Sequence, residues 1–345
     1  MARSFLSTAL AALTLTTLTL TTGCGGESTF KPTAQGAPYE IVVVADHGVW
    51  DGPAGDTLRG MFHRQFPHIN RQETLFDMLR VLPGKFKNLI ARHRNVLQVM
   101  VDPSATGPSL TVAHDAYAQP QIVLRATAPD EASLIQLISS SRDEIMLAFE
   151  NAEKDRDVAA ATGHTPEAIA TLIKERFGFT MSTGPGYVVQ KMEKESDDFL
   201  WLRYEMPTAD QGIIIYTYPF SGVRDFDREN LLARRNEFVS RIPAEAPGSY
   251  MITVEEVNDV AYKKINGRPW AQMSGLWDVS GDFMGGPYRN FSTLDAANQR
   301  VIAIDFYVFS PDPRLSQRNY IKQLEHFIYT VDIPGQAPNW NGSEE

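Results

Sequence analysis

Tyr39–Ala45, YEIVVVA, is the stretch from which the fold is read. β-Branched apolar residues dominate it, and a run of this kind without polar alternation predicts a buried strand. A turn follows, then a helix through Leu58, Met61, Phe62 and Phe66. Further strands are predicted at Leu97–Val101 and Gln121–Ala126. Lys85–His93 and Glu131–Asn151 have helical composition, the second with an interruption at Ser139–Ser141. Thr165, Pro166 and Glu167 form a helix start, and Gly178 is the matching stop.

Beyond Gly178 the strand signal is stronger. Tyr187–Met192, Phe199–Tyr204, Ile213–Tyr218, Met251–Val254, Met273–Val279 and Arg300–Phe309 are predicted strands, several with alternating faces. Two helices interrupt them, Arg228–Ile242 and Gln317–Tyr329. The second carries the stripe Tyr320, Ile321, Leu324, Phe327 and Ile328. The fold class is therefore α+β, with antiparallel-rich β-sheets flanked by helices. A strand, a proline turn and a helix recur at Ile122–Asn151, Ile213–Ile242 and Val301–Tyr329. They leave open either two related sandwich-like halves or ordinary α+β grammar. The expected organisation is an export signal at 1–23, a flexible tether at 24–38, an N-terminal α/β region at 39–157, a helical connector at 158–177, a C-terminal α+β region at 178–333 and a frayed tail at 334–345.

The amino terminus has the pattern of an export signal. Arg3 supplies positive charge, and Phe5–Leu20 is uncharged and rich in Leu, Ala and Thr. It is too short and threonine-rich for a membrane span of about 20 apolar residues. Thr21, Thr22 and Gly23 precede Cys24, the single cysteine of the chain. This arrangement is lipobox-like, although Leu20 stands one place earlier than usual, and it predicts acylation of Cys24. An unpaired thiol in an oxidising envelope is the alternative. Gly25 carries no inner-membrane retention signal of the Asp type, so the expected location is the outer membrane, with the body facing the periplasm.

Composition narrows the function classes. The 345 residues include 32 basic and 42 acidic side chains, for a net charge of −10, and removal of Arg3 makes the remainder more acidic still. That balance offers no basic footprint for nucleic acid. The 7 histidines have no zinc-type spacing, no P-loop or dinucleotide fingerprint occurs, and no cofactor or metal is expected. The 43% hydrophobic content can build a sizeable core without disulfides.

Several segments resemble a known family. These are VVVADHGVWDGPAGDTLR at Val42–Arg59, KNLIARHRNVLQV at Lys87–Val99, HDAYAQPQIVL at His114–Leu124, GLWDVSGDFMGGPYRN at Gly275–Asn290 and RNYIKQLEHFIYTVDIP at Arg318–Pro334. They are similar to the Bacteroidota lipoproteins catalogued as domain of unknown function 4837. The resemblance implies a lipid-anchored envelope location and a shared fold, and it brings no activity with it. The second region is also reminiscent, by element order alone, of the PsbP and Mog-type α/β/α sandwich.

Three constellations are candidate sites. Asp46, His47, Trp50, Asp51, Asp56 and Arg59 cluster after the opening strand. Two carboxylates and an imidazole there can bind a cation or share acid and base roles, while Asp56 is equally placed to cap the next helix. Trp277, Asp282, Phe283, Gly285 and Gly286 combine aromatics with adjacent glycines, either as a groove for a ligand or partner or as a tight turn with Trp277 and Phe283 in the core. Lys85, Lys87, Arg92, His93 and Arg94 form either a head-group contact or a solvated helix face. Three functions remain open: a noncatalytic envelope lipoprotein binding a protein partner or aiding envelope assembly, a small-molecule or lipid-binding module, and an enzyme built on Asp46–Asp56.

Overall fold

The structure is a computed structural model that describes residues 31–192, 196–244, 246–281, 283–335 and 337–338. The predicted signal and Cys24 lie outside the described residues, as do Asp282 and most of the tail. From Pro32 onward the described residues form one compact unit.

The opening run becomes β1 (Glu40–Val44), and its burial has a topological cause. It lies inside a five-stranded sheet with β2 (Asp77–Val81), β3 (Asn95–Val101), β4 (Ser109–His114) and β5 (Ile122–Ala128), in the order β2-β1-β3-β5-β4. Neighbours are parallel except β4, which runs antiparallel to β5. One face packs under α2 (Pro53–Phe62), α3 (Glu131–Ser140) and the start of α4 (Arg142–His164), through Leu58, Phe62, Leu134, Ile138, Ile145 and Phe149. On the other face Val42, Val44, Val96 and Val123 meet Phe86 and Ile90 from the segment after β2. A strand between two neighbours and covered on both faces has no solvent side, which is why its sequence does not alternate.

The second sheet has seven antiparallel strands: β6 (Val188–Val189), β7 (Phe199–Met206), β8 (Ala209–Pro219), β9 (Met251–Ile265), β10 (Arg268–Val279), β11 (Gly285–Asp295) and β12 (Arg300–Phe309). Their order is β6-β7-β8-β12-β11-β10-β9. Along β12, Ile302, Ile304, Phe306 and Val308 enter one core with α5 (Glu167–Phe177) and α7 (Gln317–His326). Val301, Ala303 and Tyr307 point the other way, into the core capped by α6 (Arg228–Val239). The mixed α+β architecture with two sheet-bearing halves stands, and the halves differ in strand order and direction. α4 spans 23 residues, about 35 Å at 1.5 Å per residue. It supplies Phe149 to the first core and Ala161 to the second, so one rigid rod is common to both.

Three expectations need correction, and three strands were not foreseen. Lys85–His93 is not a helix but two single 3-10 turns, Pro83–Lys85 and Ile90–Arg92, because the chain closes over the sheet and His93 turns inward. β2, β4 and β11 escape an apolar-period reading: the first two are polar edge strands, and β11 buries Arg289, Asn290, Ser292 and Thr293. The helix predicted over Arg228–Ile242 ends at Val239. Within the stretch expected to be a tether, the Ala34 and Gln35 amides donate to the Gln119 and Arg92 carbonyls, at 2.9 and 3.0 Å, so this segment is attached to the body. The interruption at Ser141 between α3 and α4, and the left-handed Gly178 closing α5, occur where the sequence places them.

Candidate functional site

Asp46, at the carboxyl end of β1, is the N-cap of the short helix α1 (His47–Asp51), accepting the Val49 amide at 2.9 Å. His47 and Asp51 face each other at 3.5 Å one turn apart on the exposed side. Asp56 does not fill the capping role expected of it. The N-cap of α2 is Gly52, and Asp56 lies in the first turn, where it favours the positive helix end and meets Arg59 at 2.6 Å. Arg59 also donates to the Trp50 carbonyl at 3.1 Å and lies 5.1 Å from the indole centre. A Cβ on Gly55 would stand 1.9 Å from that same carbonyl, so the α1–α2 corner closes only around glycine. These contacts together build a two-helix corner.

The glycine-rich segment is the β10–β11 hairpin. Trp277 is buried, donates Nε1–H to the Val308 carbonyl at 3.1 Å, and packs edge-on against Tyr307. Its path crosses Gly286, where a Cβ would lie 2.0 Å from the Val308 carbonyl oxygen. Gly285 and Gly286 are therefore strand residues, Gly286 leaving room for the indole and Gly285 for the Trp277 carbonyl of the paired strand. Phe283 differs from the expected core position: it is 100% exposed, just before β11 begins at Gly285. Of the basic stretch, Lys85, Lys87 and Arg92 are exposed, whereas His93 Nε2 lies 2.6 Å from Glu40 and Arg94 reaches Glu153 at 3.1 Å.

A cluster that no local motif announces joins α4 to α7. His326 Nδ1 lies 2.8 Å from Asp157, and its Nε2 lies 3.4 Å from the Tyr39 hydroxyl. Lys322 bridges Glu150 at 3.0 Å and Glu325 at 3.7 Å, and Glu325 also faces Lys263 and Arg289. An Asp-His-hydroxyl sequence of contacts has the form of a nucleophilic triad. Here burial, reinforced by Glu150, Asp157, Glu325 and Glu153, pushes the Tyr39 pKa well above its ordinary value. Tyr39 itself is 1% exposed. A hydroxyl both harder to ionise and closed to substrate is a structural partner. The signal for this cluster in sequence was the polar face of α7 opposite its apolar stripe, which by itself names no partner.

Four surface hollows are found among the described residues, one of them, about 280 Å³, between Thr57 and Met61 of α2 and Ile138 of α3. The largest of the four, about 450 Å³, lies between β4 and α4, and two, about 300 and 160 Å³, flank the buried Arg268 near the carboxyl end. No three described His, Cys, Asp or Glu side chains converge closely enough to hold a metal ion.

Residues 166–330 match the family described as domain of unknown function (DUF4837), and residues 34–175 match a different one, domain of unknown function (DUF8532). The resemblance to the first family, drawn across nearly the whole chain, is thereby narrowed to its carboxyl half. No curated protein matches the chain. Among solved structures, similarity is found to a point mutant of protein Mog1 and to the Ran-binding protein Mog1p of Saccharomyces cerevisiae. Each has 9% identity and a TM-score of 0.29 and covers 45% of this chain, against 90% and 89% of the other.

Proposed function

We propose that the chain is a noncatalytic lipoprotein of the bacterial envelope, held at the outer membrane by acylated Cys24 with its body in the periplasm, and that it acts by binding a partner polypeptide. The observation that carries the reading is the use made of its charged groups. Asp46 caps a helix, Arg59 ties a corner, and Asp157 with His326 joins α4 to α7. Each is committed to the fold, and the side chain of Phe283 is exposed at the β10–β11 hairpin. Aromatic residues of this kind are enriched at protein interfaces.

The test is cross-linking in intact envelopes followed by affinity purification of the tagged chain, with Cys24→Ala and Phe283→Ala in parallel. A reproducible protein partner that depends on Cys24 supports the proposal. A retained lipid or metabolite with no protein partner replaces it with a small-molecule-binding role. Incorporation of a palmitate analogue into the wild type but not Cys24→Ala checks the anchor.

A further inference from the structure

From Met78 to Pro129 the chain carries six basic residues, Arg80, Lys85, Lys87, Arg92, Arg94 and Arg125, against two acidic ones, Asp102 and Asp115, in a protein whose net charge is −10. The fold puts four of these cations on one side. The segment after β2 crosses the face of the first sheet opposite the helices, where Phe86 and Ile90 pack with Val42, Val44, Val96 and Val123. Lys85, Lys87 and Arg92 are exposed on it, and Leu89 among them is 64% exposed. Arg125, on the same face of β5 as Val123, donates to Gln98 at 2.7 Å, and the half-buried Tyr117 ring meets Phe86 at 5.4 Å.

Among the described residues no carboxylate lies within 4 Å of Lys85, Lys87, Arg92 or Arg125. Neighbouring acidic groups are engaged elsewhere. Glu40 faces His93 at 2.6 Å, Asp77 faces Arg318 at 2.9 Å, and Glu153 takes Arg94 and Arg156, each at 3.1 Å. Asp115, in the β4–β5 loop, accepts the Gln121 amide at 2.8 Å, and Asp102, past the carboxyl end of β3, accepts the Ser104 amide at 2.9 Å. The same side receives the chain from the proposed anchor. The Gln35 amide donates to the Arg92 carbonyl at 3.0 Å and its side chain to the Leu89 carbonyl at 3.4 Å, while the Pro32 carbonyl accepts the Gln119 amide at 2.8 Å. Cys24 precedes Pro32 by eight residues, at most about 28 Å of extended chain. A compact chain of this length has a radius of gyration of about 20 Å, so that reach does not let the opposite side of the body meet the bilayer.

We infer that this side docks on anionic head groups of the leaflet that holds the Cys24 lipid, with Lys85, Lys87, Arg92 and Arg125 as the charged contacts and Leu89 and Tyr117 at the interface. The inference rests on the proposed anchor and gives the body an orientation, with the helices across the sheet turned away from the membrane. Each basic residue near such a surface strengthens binding about fivefold, and the attraction fades beyond about 10 Å. Tyrosine favours the head-group level, where its ring is half immersed.

The acylated full chain, carrying a fluorophore on Gly84→Cys or on Leu147→Cys and reconstituted in vesicles with a head-group quencher, tests it. A side chain added at Gly84 meets nothing within 4 Å, Leu147 is 60% exposed on α4 across the sheet, and acylation of Cys24 leaves the new thiol alone to react. In vesicles of phosphatidylcholine with phosphatidylglycerol, the label at Gly84→Cys should lose its emission and that at Leu147→Cys should keep it. Phosphatidylcholine alone, or the combined Lys85→Gln, Lys87→Gln and Arg92→Gln, should abolish the difference. Equal quenching at both positions, no quenching at either, or quenching at Gly84→Cys that survives the neutral lipid or the triple variant overturns the inference. A photo-cross-linker at position 84 that captures a protein in intact envelopes, without lipid quenching, gives the surface to a partner instead. Incorporation of the palmitate analogue separates the two failures: in an acylated chain only this surface fails, and in a chain that takes up no palmitate the anchor fails and the inference with it.

Discussion

Arg235 on α6 and Asp305 on β12 form an ion pair that neither side chain shares with solvent, Nε to Oδ2 at 2.7 Å. Thr253 takes another guanidinium hydrogen at 2.6 Å, Asn290 donates to the carboxylate at 3.0 Å, and the Tyr288 ring lies 3.6 Å below. The pair pins α6 to the centre of the larger sheet. Removing one member strands a buried charge, so Asp305→Ala should cost about 3–5 kcal/mol. The double variant Arg235→Met with Asp305→Leu should lie much nearer the wild type. Urea unfolding of the three proteins checks both, and equal losses in single and double variants would contradict the account.

Glu73 accepts the Gln317 and Arg318 amides, at 2.8 and 3.2 Å, and so closes the start of α7 from a distant loop. Glu73→Ala should lower stability by about 1–2 kcal/mol, the scale of a lost helix cap. Loosening at the amides of α7 should appear in hydrogen exchange, with α5 unaffected.

Acid should weaken the junction of α4 with α7. Burial alone would raise the pKa of Glu325, but Lys322, Lys263 and Arg289 outweigh it and hold the carboxyl well below the ordinary range. A depressed folded-state pKa stabilises above the unfolded value, about 4.3, and that contribution is lost as pH falls through the range below it. Glu325→Gln should therefore be less stable than the wild type at neutral pH, and the gap should narrow on acidification below about pH 4. Thermal melts across pH measure this, and a gap independent of pH would refute it.

The corner after β1 gives a local test. Gly55→Ala drives a methyl into the Trp50 carbonyl and should cost about 1–3 kcal/mol, as overpacking does. Asp46→Ala should cost about 1 kcal/mol through its lost cap. A denaturation midpoint unchanged in both variants would mean the corner is not what these residues serve.

The sequence by itself determined the elements whose cause is local. β1 was legible because burial on both faces leaves an unbroken apolar run, and α7 because its stripe has the helical period. Ser141 and Gly178 were legible as stops because a helix end depends on its own few residues. Of the candidate sites, sequence brought Asp46 to the turn and Trp277 to the core, but it gave Asp56 the cap of α2 that Gly52 holds, and it did not foresee Phe283 outside. Tertiary structure alone decided what depends on distant neighbours. Asp305 meets Arg235 across 70 positions, and His326 meets Asp157 across 169. The open edge of β4 also exists only once β5 has taken one side and nothing in the described chain the other. Periodicity records which side of an element is buried. It carries no record of which residue lies opposite, because that is set by how whole elements pack.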